Sequence, residues 1–242
     1  MIQNNTAAII VIGDELLSGR TPDVNTPFLI DQLSKVGIKV KFCLMIPDDA
    51  KIIGRIVAEY SSLVKWVLIS GGIGPTHDDI TMESLASVFK VPLITHPELV
   101  TLLKKVYGQK CSPRHLKMAQ VPEGTVLIST SRPNIPVIQF RNIFIFPGVP
   151  ELMKTMFLLI KGSFKGDLCP VKEIVLAIDE GEILDELDQT IMQFSGVKIG
   201  SYPALLEDGY SVRIVMEHES KTYLNETFDF FEGKVRQFKR VN

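Results

Sequence analysis

Cysteine is scarce in this chain. The three present, Cys43, Cys111 and Cys169, lie far apart in 242 residues and form no C-x-x-C pair. That excludes a disulfide framework and a zinc ribbon, and it points to a reducing, cytoplasmic compartment. Other signatures are absent too. There is no Walker A sequence, no G-x-G-x-x-G after the first apolar run, no G-x-S-x-G and no H-E-x-x-H, so the commonest nucleotide, hydrolase and zinc-protease patterns do not apply. No apolar run is long enough to span a bilayer, and Met1–Thr6 has no secretory or transit-peptide character; no membrane partner is expected. Neither sign of charge dominates. The net charge of −2 gives no global reason to expect a polyanion.

What is present suits a soluble globular protein, with 45% hydrophobic and 22% charged residues. The charge is unevenly spread. Residues 1–170 carry 18 Lys and Arg against 14 Asp and Glu, whereas residues 171–242 carry 8 against 14. The sign changes at Gly162–Pro170, where three helix breakers fall in nine residues. Two domains, 1–165 and 171–242, are therefore expected.

The first domain alternates strand and helix patterns. Ala7–Ile12, Lys39–Ile46 and Trp66–Ser70 read as buried strands. Asn25–Val36, Ala50–Ser61 and Thr81–Phe89 read as the intervening helices, the first stopped by Gly37. Pro97–Tyr107 and Pro113–Gln120 read as helices of a subdomain or lid; strands Val137–Phe140 and Ile143–Phe146 and a helix from Pro150 to Lys161 follow. Such units imply right-handed crossovers and an α/β fold with a mainly parallel sheet covered on both faces. The tail reads β-α-β-β-α: Glu173–Ile178, Glu182–Phe194, Val197–Tyr202, Ser211–Glu217 and Tyr223–Phe238.

Ligands of parallel α/β sheets bind beyond the carboxyl ends of the strands. After the first strand come Gly13, Asp14 and Glu15, then Ser18, Gly19, Asp23 and Asn25. After the second comes Pro47-Asp48-Asp49, after the third Gly71-Gly72-Ile73-Gly74-Pro75-Thr76-His77-Asp78-Asp79-Ile80-Thr81, and after the last Pro147-Gly148-Val149-Pro150. In a parallel sheet these four loops share one edge. The glycines let backbone N–H groups approach a phosphate. The carboxylates that follow would repel a bare phosphate, which suggests a bridging divalent metal or general-base work. Plainer roles compete: Asp48 or Asp49 as an N-cap, Thr76 and Asp79 as a capping pair, Asp14-Glu15 as a solvated turn. Two adjacent aspartates cannot both cap one helix, which leaves one of Asp78 and Asp79 to explain.

These motifs, together with Leu16-Leu17 after Glu15 and Phe146 before Pro147, resemble the molybdopterin-binding-like (MoaB/MogA-type) domain of CinA-family proteins and of animal FAD synthases, over roughly residues 7–160. The segment Asn134–Ile143 lacks the Ala-Pro-Gly signature usual in CinA proteins and is closer to the FAD-synthase branch. The tail around Val197–Pro203 resembles the small KH-like unit found after this domain in both branches. Neither the amidase domain typical of bacterial CinA nor the domain that carries FAD synthesis is recognisable, so neither activity is expected of this chain.

The resemblance implies a three-layer sandwich and a metal-assisted hydrolase of FAD, ADP-ribose or a related nucleotide diphosphate. By position, Asp48 and Asp79 match acidic residues tied to catalysis, and Gly71, Gly72, Gly74, Pro75 and Thr76 would cradle phosphates. Gly13, Asp14, Glu15, Ser18, Asn25, Pro147 and Gly148 complete the expected ligand set. Asp14, Asp78 and Asp79 are the candidate ligands for Mg²⁺ or another divalent ion such as Co²⁺, with a monovalent cation as a further candidate; Asp14 and Asp78 rest on geometry alone. Two alternatives stay open: binding or adenylyl transfer to a pterin, and a non-catalytic regulatory or oligomerisation role. A homo-oligomer is expected, with the tail as an interface. The tail has no G-x-x-G loop and a charge of −6, so no nucleic-acid partner is expected of it. A filter-binding assay should detect no tight, salt-sensitive retention of RNA.

Overall fold

The computed structural model describes residues 3–128, 135–206 and 209–241; Asn134, at the head of the branch-distinguishing segment, lies outside them. The chain forms two compact units, Met1–Leu168 and Cys169–Asn242.

In the first unit the elements run β1 (Gln3–Ile12), α1 (Asp14–Leu17), α2 (Asn25–Ser34), β2 (Lys39–Ile46), α3 (Ala50–Leu63), β3 (Val64–Ser70) and α4 (Thr81–Val88). They continue through β4 (Leu93–Thr95), α5 (Pro97–Tyr107), α6 (Pro113–Lys117), β5 (Gln120–Pro122), β6 (Val126–Ile128), β7 (Val137–Phe140), β8 (Ile143–Phe146) and α7 (Pro150–Ile160). The main sheet has the order β2-β1-β3-β8-β7-β6. β2, β1, β3 and β8 are mutually parallel, while β7 and β6 add an antiparallel margin.

Helices cover both faces of the sheet. One face packs Ile10, Ile12, Val67 and Ile69 beneath Ile53, Val57 and Leu85 of α3 and α4, and beneath Leu99 and Leu103 of α5. The other packs Ile9, Val11, Leu68 and Phe146 against Leu29 and Leu33 of α2 and Met153 and Phe157 of α7. This is why the central strands are apolar at successive positions: a strand buried on both sides has no polar face to alternate with. The three-layer α/β sandwich expected from the sequence is the fold observed. Among the described residues no helix is long and apolar enough to cross a membrane.

The segment after α4 departs from the sequence reading. The expected helix Pro113–Gln120 ends at Lys117, because Gln120–Pro122 pairs antiparallel with Leu93–Thr95. Residues 93–122 are therefore a helical excursion that leaves and returns through a two-stranded neck.

The second unit contains β9 (Val171–Leu176), α8 (Leu184–Gln193), β10 (Lys198–Leu206), β11 (Gly209–Glu217) and α9 (Lys221–Lys234). Its strands form an antiparallel sheet of order β10-β11-β9. Ile174, Leu176, Val212, Ile214 and Met216 of the sheet pack on Leu187 of α8 and on Leu224 and Phe231 of α9. A one-turn 3₁₀ helix, Glu180–Ile183, precedes α8 and is capped by Asp179, whose carboxylate accepts from the Gly181 N–H at 2.9 Å.

Phe164 closes the first unit. It is buried, stacks on Phe157 with centroids 5.4 Å apart, meets Trp66 edge-on at 5.9 Å and lies tilted against Phe144 at 5.0 Å. Replacing it leaves a cavity between β3, β8 and α7. Phe164→Ala is expected to cost about 3–5 kcal/mol of stability, read as a lower urea midpoint for this unit.

Candidate functional site

The parallel register brings the four loops together, as the topology requires. β1 ends at Gly13, whose N–H donates to the Ile46 carbonyl of β2 at 3.1 Å. The short helix α1 starts at once, and the Asp14 N–H donates to Asp48 Oδ2 at 3.0 Å. The two aspartates after β2 divide their work. Asp49 caps α3 by accepting from the N–H groups of Lys51 and Ile52, both at 2.9 Å. Asp48 is left facing the loop edge. Burial holds its carboxyl above the ordinary carboxylate value, the Asp14 N–H opposes that, and the charges of Asp14, Glu15 and Asp78 add to it.

β3 ends in the glycine turn. The Gly71 N–H donates to the Phe146 carbonyl of β8 at 3.1 Å, and Gly71 has φ +114°. A Cβ there would strike the Ile12 carbonyl of β1, so the position is closed to any other residue. Thr81 secures the far end of the loop, its N–H donating to the Gly72 carbonyl at 3.1 Å and its hydroxyl to that of Gly71 at 3.2 Å.

Asp79 does not cap α4, whose N-cap position is Ile80. Its carboxylate instead accepts from both the N–H and the hydroxyl of Thr76, the N–H at 2.8 Å, and so closes the loop on itself. Asp78 is exposed. The Thr76 side chain and its own backbone N–H hold it below the ordinary value, with smaller help from His77 and Lys117. His77, with a side chain 99% exposed, reaches only Asp78, at 3.8 Å.

These loops border one end of a cleft of about 570 Å³. Gly13, Glu15, Asp48, Gly71, Gly72, Gly74, Pro75, Asp78, Asp79, Pro147 and Gly148, all expected at the site, line it. Much of the remaining lining is apolar, from Leu99, Leu103, Val106 and Tyr107 of α5, from Met118 and from Leu152 of α7. Among the described residues, no Lys or Arg lines the cleft.

Four expected site residues sit elsewhere. Asp14 contributes its N–H and its charge, through Asp48, rather than a lining side chain. Ser18 follows α1 at the surface, its hydroxyl donating to the Glu15 carbonyl at 3.2 Å. Thr76 is engaged by Asp79. Asn25, only 7% exposed, is a tie within the wall: Nδ2 donates to Ser70 Oγ and to the Gly148 carbonyl, both at 2.9 Å, linking the ends of β3 and β8. The expected metal trio is not assembled either. Among the described residues, no group of three or more His, Cys, Asp and Glu side chains is arranged to hold a metal ion.

The apolar wing and Lys117 were not singled out from the sequence. The signal for the wing was there, since Leu99, Leu102, Leu103 and Val106 recur at helical spacing on α5.

Residues 8–164 match the family model described as "Probable molybdopterin binding domain", and residues 170–242 match that of the FAD synthase middle domain. A protein of Archaeoglobus fulgidus is 35% identical over 198 residues, covering 81% of this chain and 84% of its own length. The "Probable FAD synthase" of Caenorhabditis elegans is 32% identical over 252 residues, covering 91% of this chain. The chain spans about half of that relative, 48% of its length. A crystal structure of the protein CinA from Thermoplasma acidophilum, titled as of unknown function, superposes with a TM-score of 0.62 at 30% identity, covering 66% of this chain and 98% of that one. The second unit thus matches the FAD synthase middle domain.

The raised carboxyl of Asp48 has a consequence for stability. Between the ordinary value of 3.8 and its higher folded value, the native state binds more protons than the unfolded chain. The ionised form therefore opposes folding at neutral pH, and the penalty vanishes once pH falls below the unfolded value. Asp48→Asn keeps an acceptor for the Asp14 N–H. It should raise Tm by about 1–2 °C at pH 7 and leave it unchanged near pH 3.5 in thermal melts.

Proposed function

The chain belongs to the molybdopterin-binding (MoaB/MogA-like) domain family, and on that premise we propose that its first unit binds a phosphorylated nucleotide- or pterin-type molecule and hydrolyses a diphosphate of the FAD or ADP-ribose type. The lining of the cleft carries this reading: it combines the glycine loop and four carboxylates, Glu15, Asp48, Asp78 and Asp79, with an apolar wing suited to a planar ring.

A diphosphate entering this cleft would meet Glu15, Asp48, Asp78 and Asp79 and, among the described residues, no basic side chain. A cation that travels with it would relieve the repulsion. The hard oxygen donors of Asp78 suit Mg²⁺ or Co²⁺, with phosphate and water oxygens supplying the remaining ligands, which is how Mg²⁺ is commonly held beside phosphates. When bound, such an ion supplies charge neutralisation on the phosphate oxygens.

The Gly72–Gly74 backbone would hold the phosphates. Asp48, with its proton affinity raised by burial and neighbouring charge, takes a proton from water as the water oxygen bonds to one phosphorus. The P–O–P bridge breaks, so FAD would yield AMP and FMN, and the proton leaves Asp48 to solvent. Asp79 keeps the loop in shape through Thr76.

The family description favours a second reading, in which a pterin phosphate replaces water as the acceptor and the adenylyl group comes from ATP. Incubation with FAD or ADP-ribose plus Mg²⁺ or Co²⁺ should release AMP, measured by chromatography. Asp48→Asn should lower that rate at least about 10²-fold. Release of pyrophosphate from ATP only when a pterin is added would select the second reading. No turnover in any mixture would leave a non-catalytic binding role.

A further inference from the structure

We infer that Lys117 is a positioning residue that latches the helical excursion to the glycine loop, so that the apolar wing and the phosphate end of the cleft are set together. The inference goes beyond the proposed reaction and rests on it only for a kinetic arm of the test.

Lys117 is the last residue of α6, where the excursion turns back toward its neck. Its Nζ donates to the Asp79 carbonyl at 3.0 Å, a contact spanning 38 residues, and lies 3.3 Å from Glu83 Oε1 in the first turn of α4. The side chains are 31% and 39% exposed. The second oxygen of Glu83, Oε2, is buried without a hydrogen-bond partner. One ammonium therefore serves a loop carbonyl and a half-buried carboxylate that has no other ion pair among the described residues.

Asp79 is consequently held at both ends. Its carboxylate grips Thr76 within the loop and its carbonyl is gripped from outside by Lys117. Lys117, Glu83 and Asp79 line a small cavity together with Gly72 and Gly74 of the same loop. At the other end of the excursion, α5 is anchored through Leu99 and Leu103. Loss of the ammonium would free the loop carbonyl and strand the Glu83 charge, while leaving the α5 anchor and the sheet in place.

The test is amide hydrogen exchange on the full chain, comparing wild type with Lys117→Met, Lys117→Arg and Glu83→Gln. Lys117→Met should accelerate exchange about tenfold or more at residues 72–80 and at residues 97–117 together, with β1 and β8 unchanged. Lys117→Arg should restore protection, and Glu83→Gln, which keeps the carbonyl contact, should leave the loop protected. Acceleration confined to 113–117, acceleration spread over β1 and β8, or none at all would overturn the latch. In AMP release from FAD, Lys117→Met should raise KM about fivefold and by more than it lowers kcat; an unchanged KM would also overturn it. If wild type releases no AMP, the hydrolase reading fails while the exchange result still decides the latch.

Discussion

The site depends on one close approach. β3 is the central parallel strand, and the chain must leave it between β1 and β8. Gly71 makes that exit with its N–H bonded to the Phe146 carbonyl on one side and its α-carbon pressed toward the Ile12 carbonyl on the other. The missing Cβ is a steric necessity, and the positive φ turns the chain toward the strand ends. Gly148 comes close in turn: a Cβ on it would sit 3.6 Å from the Gly71 α-carbon. Three strand ends are thereby packed closely together along one edge of the cleft.

Electrostatics follows from this packing. Bringing the ends of β1, β2 and β3 together also brings together Asp14, Glu15, Asp48 and Asp78, and the partly buried Asp48 bears the effect. Backbone dipoles temper this charge: the Asp14 N–H donates to Asp48 and the Thr76 N–H to Asp79.

Much of this was legible in the sequence. β2, β7, β8 and α5 begin and end where their apolar patterns meet proline, glycine or polar breaks. Asn25 was visible as a site residue, but its role as a tie between Ser70 and Gly148 needed the fold, because its partners lie 45 and 123 residues away. The pair Asp48-Asp49 could not be divided from sequence, since either carboxylate can cap a helix and only the backbone path decides. The spacing of Thr76 and Asp79 left capping open beside a functional role for Asp79; the cap is not formed, and the pair closes a turn two residues before α4. Strands as short as β4 and β5 have too few residues to show a period. Met118-Ala119-Gln120 therefore read as helix until their partner strand was known.

The neck formed by β4 and β5 carries a consequence for how this architecture can diversify. The excursion's two ends are fastened side by side, so the sheet registers only where they enter and leave and is insensitive to how much chain runs between them. Lengthening a closed loop adds little entropic penalty, which grows only with the logarithm of its length. Among homologous chains, insertions and deletions should therefore accumulate between Thr95 and Gln120, recasting the apolar wall of the cleft while the glycine turn is inherited unchanged.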